Sequence, residues 1–265
     1  MLIQSILSRL EPISPCQVSD HVFELYSERS VQNQDLGYVD RTQNHISFTL
    51  PLCDIDLTIT QSLSQLSSSG SSTGFVCWST SSKLVDWILG DKRCPFGPYF
   101  SSAQLDVLEL GAGVGGICGS VLGPHSKRYV CSDQKLLLKL LRVNLEQNAP
   151  QTDIGVVELD WEYLPQGLEN YYTATEPGNT PDLVLACDTI YNEYLIPFFL
   201  RALDSVMSHQ TVCIVAVQMR DDITLEAFVS QTVEMEFDLY TVRQEDLSDQ
   251  LSRGYVVYGI TRSQS

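Results

Sequence analysis

The stretch Leu105-Asp-Val-Leu-Glu-Leu-Gly-Ala-Gly-Val-Gly115 decides how this chain folds. LDVLEL is a short apolar run of the kind that forms a buried strand. Glycines at 111, 113 and 115 follow it, and an apolar helical segment, Ile117 to Leu122, comes next. Strand, glycine turn and helix in that order open a βαβ unit, where missing Cβ atoms let the backbone turn tightly and approach a ligand.

Outward from this unit the alternation continues. RYVCSD at 128–133 predicts a second strand and 135–147 a helix with basic and apolar faces; IGVVELDW at 154–161 predicts a third strand. DLVLACD at 182–188, a helix over 194–207 and TVCIVAVQ at 211–218 carry the pattern to five strands. Strands alternating with helices at this spacing give a parallel sheet with right-handed crossovers. The tail departs from it: after a helix near 222–232, strands near 236–242 and 255–260 flank an acidic loop. A hairpin closing a parallel sheet makes the fold α/β, doubly wound and mostly parallel, with seven strands. Residues 164–181, rich in polar, Gly and Pro residues, read as an exposed loop.

On the N-terminal side, Lys83 to Leu89 has helical apolar spacing. Residues 61–73 (QSLSQLSSSGSST) read as a flexible joint, and ISFTLPLCDIDLTIT at 46–60 as a β-hairpin. Met1 to Leu10 suits a short amphipathic helix rather than a secretory signal. The organisation expected is a small annex, 1–73, and a main domain, 74–265.

Composition narrows the possibilities. A hydrophobic fraction of 43% over 265 residues can bury a full core, and no apolar run approaches the roughly 20 residues that span a bilayer. The eight cysteines are scattered with no C-x-x-C pair, and the four histidines are dispersed, so neither disulfides nor a metal is expected. Several cysteines sit inside apolar strands, where reduced thiols pack as small hydrophobes, which fits a reduced, cytoplasmic protein. A formal net charge of −17 disfavours a broad phosphate-backbone contact and suits either a basic protein partner or simple solubility.

Four clusters carry candidate chemistry. Glu109 stands two residues before Gly111-Ala112-Gly113, a spacing suited to the ammonium of a methionine-type sulfonium cofactor rather than to a pyrophosphate. Asp133 ends the second strand, where a carboxylate can hold ribose hydroxyls or cap the next helix; both NAD and S-adenosylmethionine place a ribose there. Asp160-Trp161 can meet an adenine through its carboxylate and indole, or Trp161 is a core residue. Trp78 either closes over a cofactor or pins the annex to the sheet. Cys187-Asp188-Thr189-Ile190-Tyr191 ends the fourth strand beside the expected position of a transferable methyl. A lysine amine, with a pKa near 10.4, must be neutral to attack it. Asp188 and Tyr191 are placed to align such a nitrogen, with strong base catalysis the less favoured role, or to cap and pack a helix.

In this order, TGFVCW, ELGAGVG, Asp133, LDW and DTIY resemble the seven-β-strand protein methyltransferases of methyltransferase family 16, whose hallmark D-x-x-Y matches Asp188 to Tyr191. Within that family the chain looks most like the fungal ribosomal-protein lysine methyltransferase 5 group. The resemblance covers roughly 74–261 and implies the class I, Rossmann-like methyltransferase fold. It also implies methyl transfer from S-adenosyl-L-methionine to a lysine of a ribosomal protein, of the large subunit. Carried over by motif, Trp78, the Gly111 to Gly113 turn, Asp133, Trp161 and Cys187 would touch the cofactor, and Asp188 and Tyr191 would flank the substrate. The family often has Ala where Cys187 stands. The competing expectation is a non-catalytic binding protein that keeps the cofactor fold for partner recognition; the intact D-x-x-Y argues against it. A nucleic-acid or small-molecule methyltransferase is disfavoured by the acidity and by the lack of an N-P-P-Y-like tetrad. A dehydrogenase is disfavoured by the place of Glu109.

Overall fold

The parallel order expected from the alternating segments is present in the computed structural model, which describes residues 2–29, 36–66, 72–101 and 104–263. Its strands are β1 (Leu10–Ile13), β2 (His45–Leu50), β3 (Ile55–Thr60), β4 (Asp106–Leu110), β5 (Arg128–Asp133), β6 (Ile154–Glu158), β7 (Leu183–Cys187), β8 (Val212–Gln218), β9 (Phe237–Val242) and β10 (Tyr255–Arg262). The main sheet runs β1-β9-β10-β8-β7-β4-β5-β6. Strands β4 to β8 pair in parallel, and β10 inserts antiparallel between β8 and β9.

Seven of these strands are those expected; the sheet has eight. The extra one, β1, comes from the annex and pairs antiparallel with β9 from Leu10↔Val242 to Ile13↔Leu239. Without it β9 would be an edge with open backbone groups. Pro12 is tolerated because β1 is itself now the edge. The loop expected over 164–181 is corrected as well: Leu164–Ala174 is a helix. Its polar composition hides an apolar stripe of Leu164, Leu168, Tyr171 and Tyr172, which packs on the sheet. Pro165 sits in the first turn, where it costs no hydrogen bond. The expected N-terminal helix is Leu2–Leu7. Part of the expected joint, 67–71, lies outside the described residues.

Strand alternation divides the core. Val107 and Glu109 of β4 face one side and Leu108 and Leu110 the other. On the first side lie the helices Ser79–Gly90, Ile117–Leu122 and Leu138–Asn148 and the β2–β3 hairpin. On the second lie Val18–Arg29, Leu164–Ala174, Ile196–Val206 and Asp222–Glu234. Among the described residues no helix is long and apolar enough to cross a membrane.

The hairpin is fixed by side-chain amides standing in for a neighbouring strand. Asn148 accepts from Thr58 N–H and donates to its C=O, both at 2.9 Å. Asn144, one helical turn earlier, does the same for Thr60 at 2.8 Å. Asn144 also donates to the carbonyl of Val114 at 2.6 Å, so one buried side chain joins the hairpin to the glycine turn. At the other end, Asp86 accepts from the amides of Leu52 and Cys53. Asn144→Ala leaves the Thr60 N–H and C=O and the buried Val114 carbonyl without this partner and is expected to cost about 2 to 4 kcal/mol. Urea unfolding with an unchanged slope and a lowered midpoint checks this.

Candidate active site

The carboxyl ends of β4 to β7 converge on a cavity of about 890 Å³, part of it open to solvent, and the segment after β8 reaches a recess beside it. The cavity lies where the strand order reverses between β4 and β7, the place where doubly wound sheets bind ligands. Trp78, Gly111, Ala112, Gly113, Asp133, Trp161, Cys187, Asp188 and Tyr191 all line it.

The floor is the glycine turn. The amides of Gly111 and Ala112 both donate to the Ser132 carbonyl at 3.0 Å, which folds the turn over β5. Gly111 has φ +75°, and a Cβ there would stand 2.7 Å from Thr189 Cγ2 and 3.4 Å from the Trp161 ring. No other residue fits between those two walls. Across the turn, Val114 N–H donates to the Gly74 carbonyl at 2.8 Å, so the segment before the Ser79–Gly90 helix closes the cavity.

Asp133 accepts from Gly113 N–H and Gln134 N–H, each at 2.7 Å, and faces the cavity half-buried. Burial pushes its carboxyl up to about 6, against the pull of those two amides. Asp160 caps the turn Trp161–Tyr163 by accepting from Glu162 N–H, and accepts from the Gln134 side chain at 3.3 Å. That leaves the Trp161 ring between the cavity and Phe199, whose centroid is 5.3 Å away.

Glu109 is not brought to the cavity. Strand alternation points it, like Val107, under the Ile117–Leu122 helix, where it is 2% exposed. There it accepts from Tyr129 Oη at 3.0 Å and from the Cys131 thiol at 3.4 Å. Burial raises its carboxyl to about 7 despite those donors. A core acid beneath the turn therefore stands where a contact to a ligand ammonium was expected. Cys187 shares that side of the sheet, its Sγ 3.6 Å from Cys118 Sγ. All eight cysteines are free.

Asp188 has φ +58°, a left-handed conformation that few residues other than Gly, Asn and Asp accept. Its amide still donates to Ala216 C=O at 2.8 Å, so β7 stays paired to β8 while its side chain swings toward the segment that follows β8. There Arg220, which the sequence reading passed over, makes a two-pronged ion pair with it at 2.5 and 2.6 Å. Arg220 also donates to Gln218 Oε1 and to the Leu36 carbonyl, and lies over the Trp78 ring at 5.2 Å. Trp78 donates to the Thr73 carbonyl and stacks on Tyr38 at 4.5 Å. Trp78 therefore both lines the cavity and pins the annex. Leu36, Thr73, Trp78, Asp188, Tyr191 and Arg220 bound a second recess that shares Thr73, Trp78, Asp188 and Tyr191 with the first. A basic residue two places after an apolar strand, in so acidic a chain, was the available signal for Arg220. Leu36 gave none, because its place depends on Gly37: at φ +83°, a Cβ there would fall 1.9 Å from Gln218 Oε1. Among the described residues no three His, Cys, Asp or Glu side chains are grouped to hold a metal ion.

A family profile described as lysine methyltransferase matches residues 56–234. A Schizosaccharomyces pombe protein named diaminohydroxyphosphoribosylamino-pyrimidine deaminase is 32% identical over 84% of this chain. This chain spans only 53% of that protein's length. It has neither an H-x-E nor a C-x-x-C element, the signature of zinc-dependent base deaminases. Ribosomal lysine N-methyltransferase 5 of Lachancea thermotolerans is 27% identical over 88% of this chain and 92% of its own length. The protein of the same name from Zygosaccharomyces rouxii is 28% identical, over 89% and 95%.

The burial of Glu109 has a consequence for stability. Its ordinary value is 4.5 and its folded value about 7, so the core favours the neutral acid. Its contribution is full below pH 4.5 and is lost as pH rises through about 7, up to about 3 kcal/mol. Thermal melts from pH 5 to 9 should show wild type losing stability over this range and Glu109→Gln losing markedly less. Parallel curves would remove Glu109 as the titrating group.

Proposed function

The chain belongs to the lysine methyltransferase family, and from that premise we propose that it is an S-adenosyl-L-methionine-dependent protein-lysine N-methyltransferase acting on a ribosomal protein, of the large subunit. The observation that carries this is the meeting of two recesses at Asp188 and Tyr191. A cofactor in the large cavity and a side chain entering the smaller recess would meet at that pair.

The lining of the large cavity suits the cofactor in its chemistry. Asp133 offers carboxylate oxygens for ribose hydroxyls, Trp161 a flat face and Asp160 an acceptor for an adenine, and the backbone at Gly111 to Gly113 admits close approach. A bound cofactor would supply an electrophilic methyl on sulfonium sulfur; transfer to the amine lone pair would leave the C–S electrons on sulfur and release the extra proton of the nitrogen to water. The chain's own part is alignment. Leu36, Trp78 and Tyr191 give the smaller recess apolar walls suited to the methylenes of a lysine, while Asp188 lines both recesses where its nitrogen would arrive. Cys187, small and 7% exposed, leaves room beside the reacting centre.

The names of the relatives and the net charge of −17 support a basic ribosomal protein as partner and the cytoplasm as the place of action. Nucleic acid and membrane have no part in this proposal. Labelled methyl transfer to an unmethylated large-subunit ribosomal-protein fraction tests it: wild type should label a protein lysine, and Asp188→Asn should lower the rate at least about 100-fold. No lysine labelling by a wild type that binds the cofactor rejects it.

Cofactor affinity adds a second test. Ribose hydroxyls need the ionised carboxylate of Asp133, whose value in the free protein is about 6. Calorimetry should find binding weakening as pH falls from 7 to 5, with Asp133→Asn weaker throughout and nearly pH-independent. Equal pH dependence in the two proteins would place the cofactor's titrating partner elsewhere.

A further inference from the structure

A carboxylate that meets a lysine has two opposed effects. It can orient the nitrogen, but an unpaired buried carboxylate also stabilises the ammonium, whose lone pair is taken up by a proton and cannot attack. An opposite charge at close range displaces such an equilibrium by about 1 to 3 pK units toward the charged form. An amine with an ordinary value near 10.4 cannot tolerate that displacement near neutral pH.

The groups facing the junction make the difficulty sharper. Asp133 at the end of β5 and Asp160 and Glu162 after β6 line the large cavity, with Cys187 and Tyr191 flanking Asp188 itself. Each of these is acidic or neutral. Among the described residues that line the two recesses, Arg220 is the only cation. Its contact is two-pronged, with Nη1 on Oδ1 at 2.6 Å and Nη2 on Oδ2 at 2.5 Å, and the Asp188 side chain is 3% exposed. The guanidinium is itself anchored by Gln218 Oε1, the Leu36 carbonyl and the Trp78 face, so it does not depend on Asp188 for its place.

We propose that Arg220 is a positioning residue for methyl transfer that acts through Asp188. It cancels the carboxylate's charge where the amine arrives, so that the recess accepts the neutral amine while Asp188 keeps an oxygen lone pair to orient it. This rests on the site being that of a lysine methyltransferase. Arg220 takes one lone pair of each Asp188 oxygen and the Gln218 N–H, at 3.4 Å, meets Oδ1 again, so Oδ2 is the oxygen with a lone pair left to orient the amine. The proton that the lysine must shed before attack passes to water, since Asp188 is already engaged, and the nitrogen loses its second proton to water after the methyl has transferred.

The test is the pH dependence of the single-turnover rate, with full-length enzyme and cofactor saturating and the same unmethylated ribosomal-protein fraction as substrate. Its rising limb reports the amine's ionisation in the complex. Arg220→Met should move that limb to higher pH by about 1 to 2 units, with cofactor affinity held within about threefold. Arg220→Lys, which keeps the charge and loses the fork, should leave the limb in place and lower the plateau. The double variant Asp188→Asn with Arg220→Met restores a neutral pair and should return the limb to the wild-type position at a lower plateau. Asp188→Asn alone leaves an uncompensated cation and should move the limb to lower pH; Asn accepts the left-handed backbone, so this variant decides the matter if Arg220→Met does not fold. A uniform loss of rate with an unmoved limb in Arg220→Met, or in Asp188→Asn, overturns the proposal while leaving the methyltransferase standing. No turnover by wild type on any protein lysine fails the enzyme assignment itself and the proposal with it.

Discussion

The reversal of strand order at β4 is the constraint from which the site follows. The chain leaving β4 goes to β5 and then β6 on one side, while β7 and β8 lie on the other. The helix after β4 packs on one face of the sheet and the helix after β7 on the opposite face. Neither covers the gap between the two strand ends, so a crevice is unavoidable there. Every strand from β4 to β8 ends in residues that line this crevice or its side recess. The residues therefore meet because the sheet is parallel and doubly wound, although they are separated by up to 109 positions from Gly111 to Arg220.

A crevice open on its outer side would hold a ligand loosely. The annex and the segment before Ser79 supply that side. Gly74 accepts from the glycine turn, Trp78 stands between Tyr38 and Arg220, and Asn144 reaches from Thr60 to Val114. The hairpin, the turn and the wall are thus joined through a few polar contacts in otherwise apolar surroundings, where each is costly to leave unmade.

The sequence made the parallel core legible because its signals are local: apolar runs, glycines and helices recur at fixed spacing within each βα unit. It also made most of the cavity lining legible, since residues just past strand ends in such a fold must face the crevice. What was not legible has a different origin. Glu109, read by its distance along the chain from the glycines, lies by period-two alternation on the same side of the sheet as Val107. The helix at Leu164–Ala174 was hidden by Gly, Pro and polar residues whose spacing was apolar at every third or fourth place. β1 and Leu36 depend on contacts with segments about 180 to 230 positions away, and no local pattern announces those.

Asp188 brings the local and the distant together. A left-handed residue at a strand end is unfavourable, as is an ion pair withdrawn from water, and each persists only where the surroundings fix it. Here they have a common cause. The Asp188 amide completes the pairing with Ala216, so the backbone cannot leave β7 until after this residue. The positive φ then turns its side chain sideways along the edge instead of up into solvent, and sideways is where β8 delivers Arg220, two residues beyond the last of its strand. With an ordinary β-region backbone the side chain would follow the strand's alternation and miss the guanidinium. The backbone conformation and the ion pair are accordingly one feature of the fold. It sets an acidic side chain, matched by a cation, at the junction of two recesses whose remaining ionisable groups are all acidic.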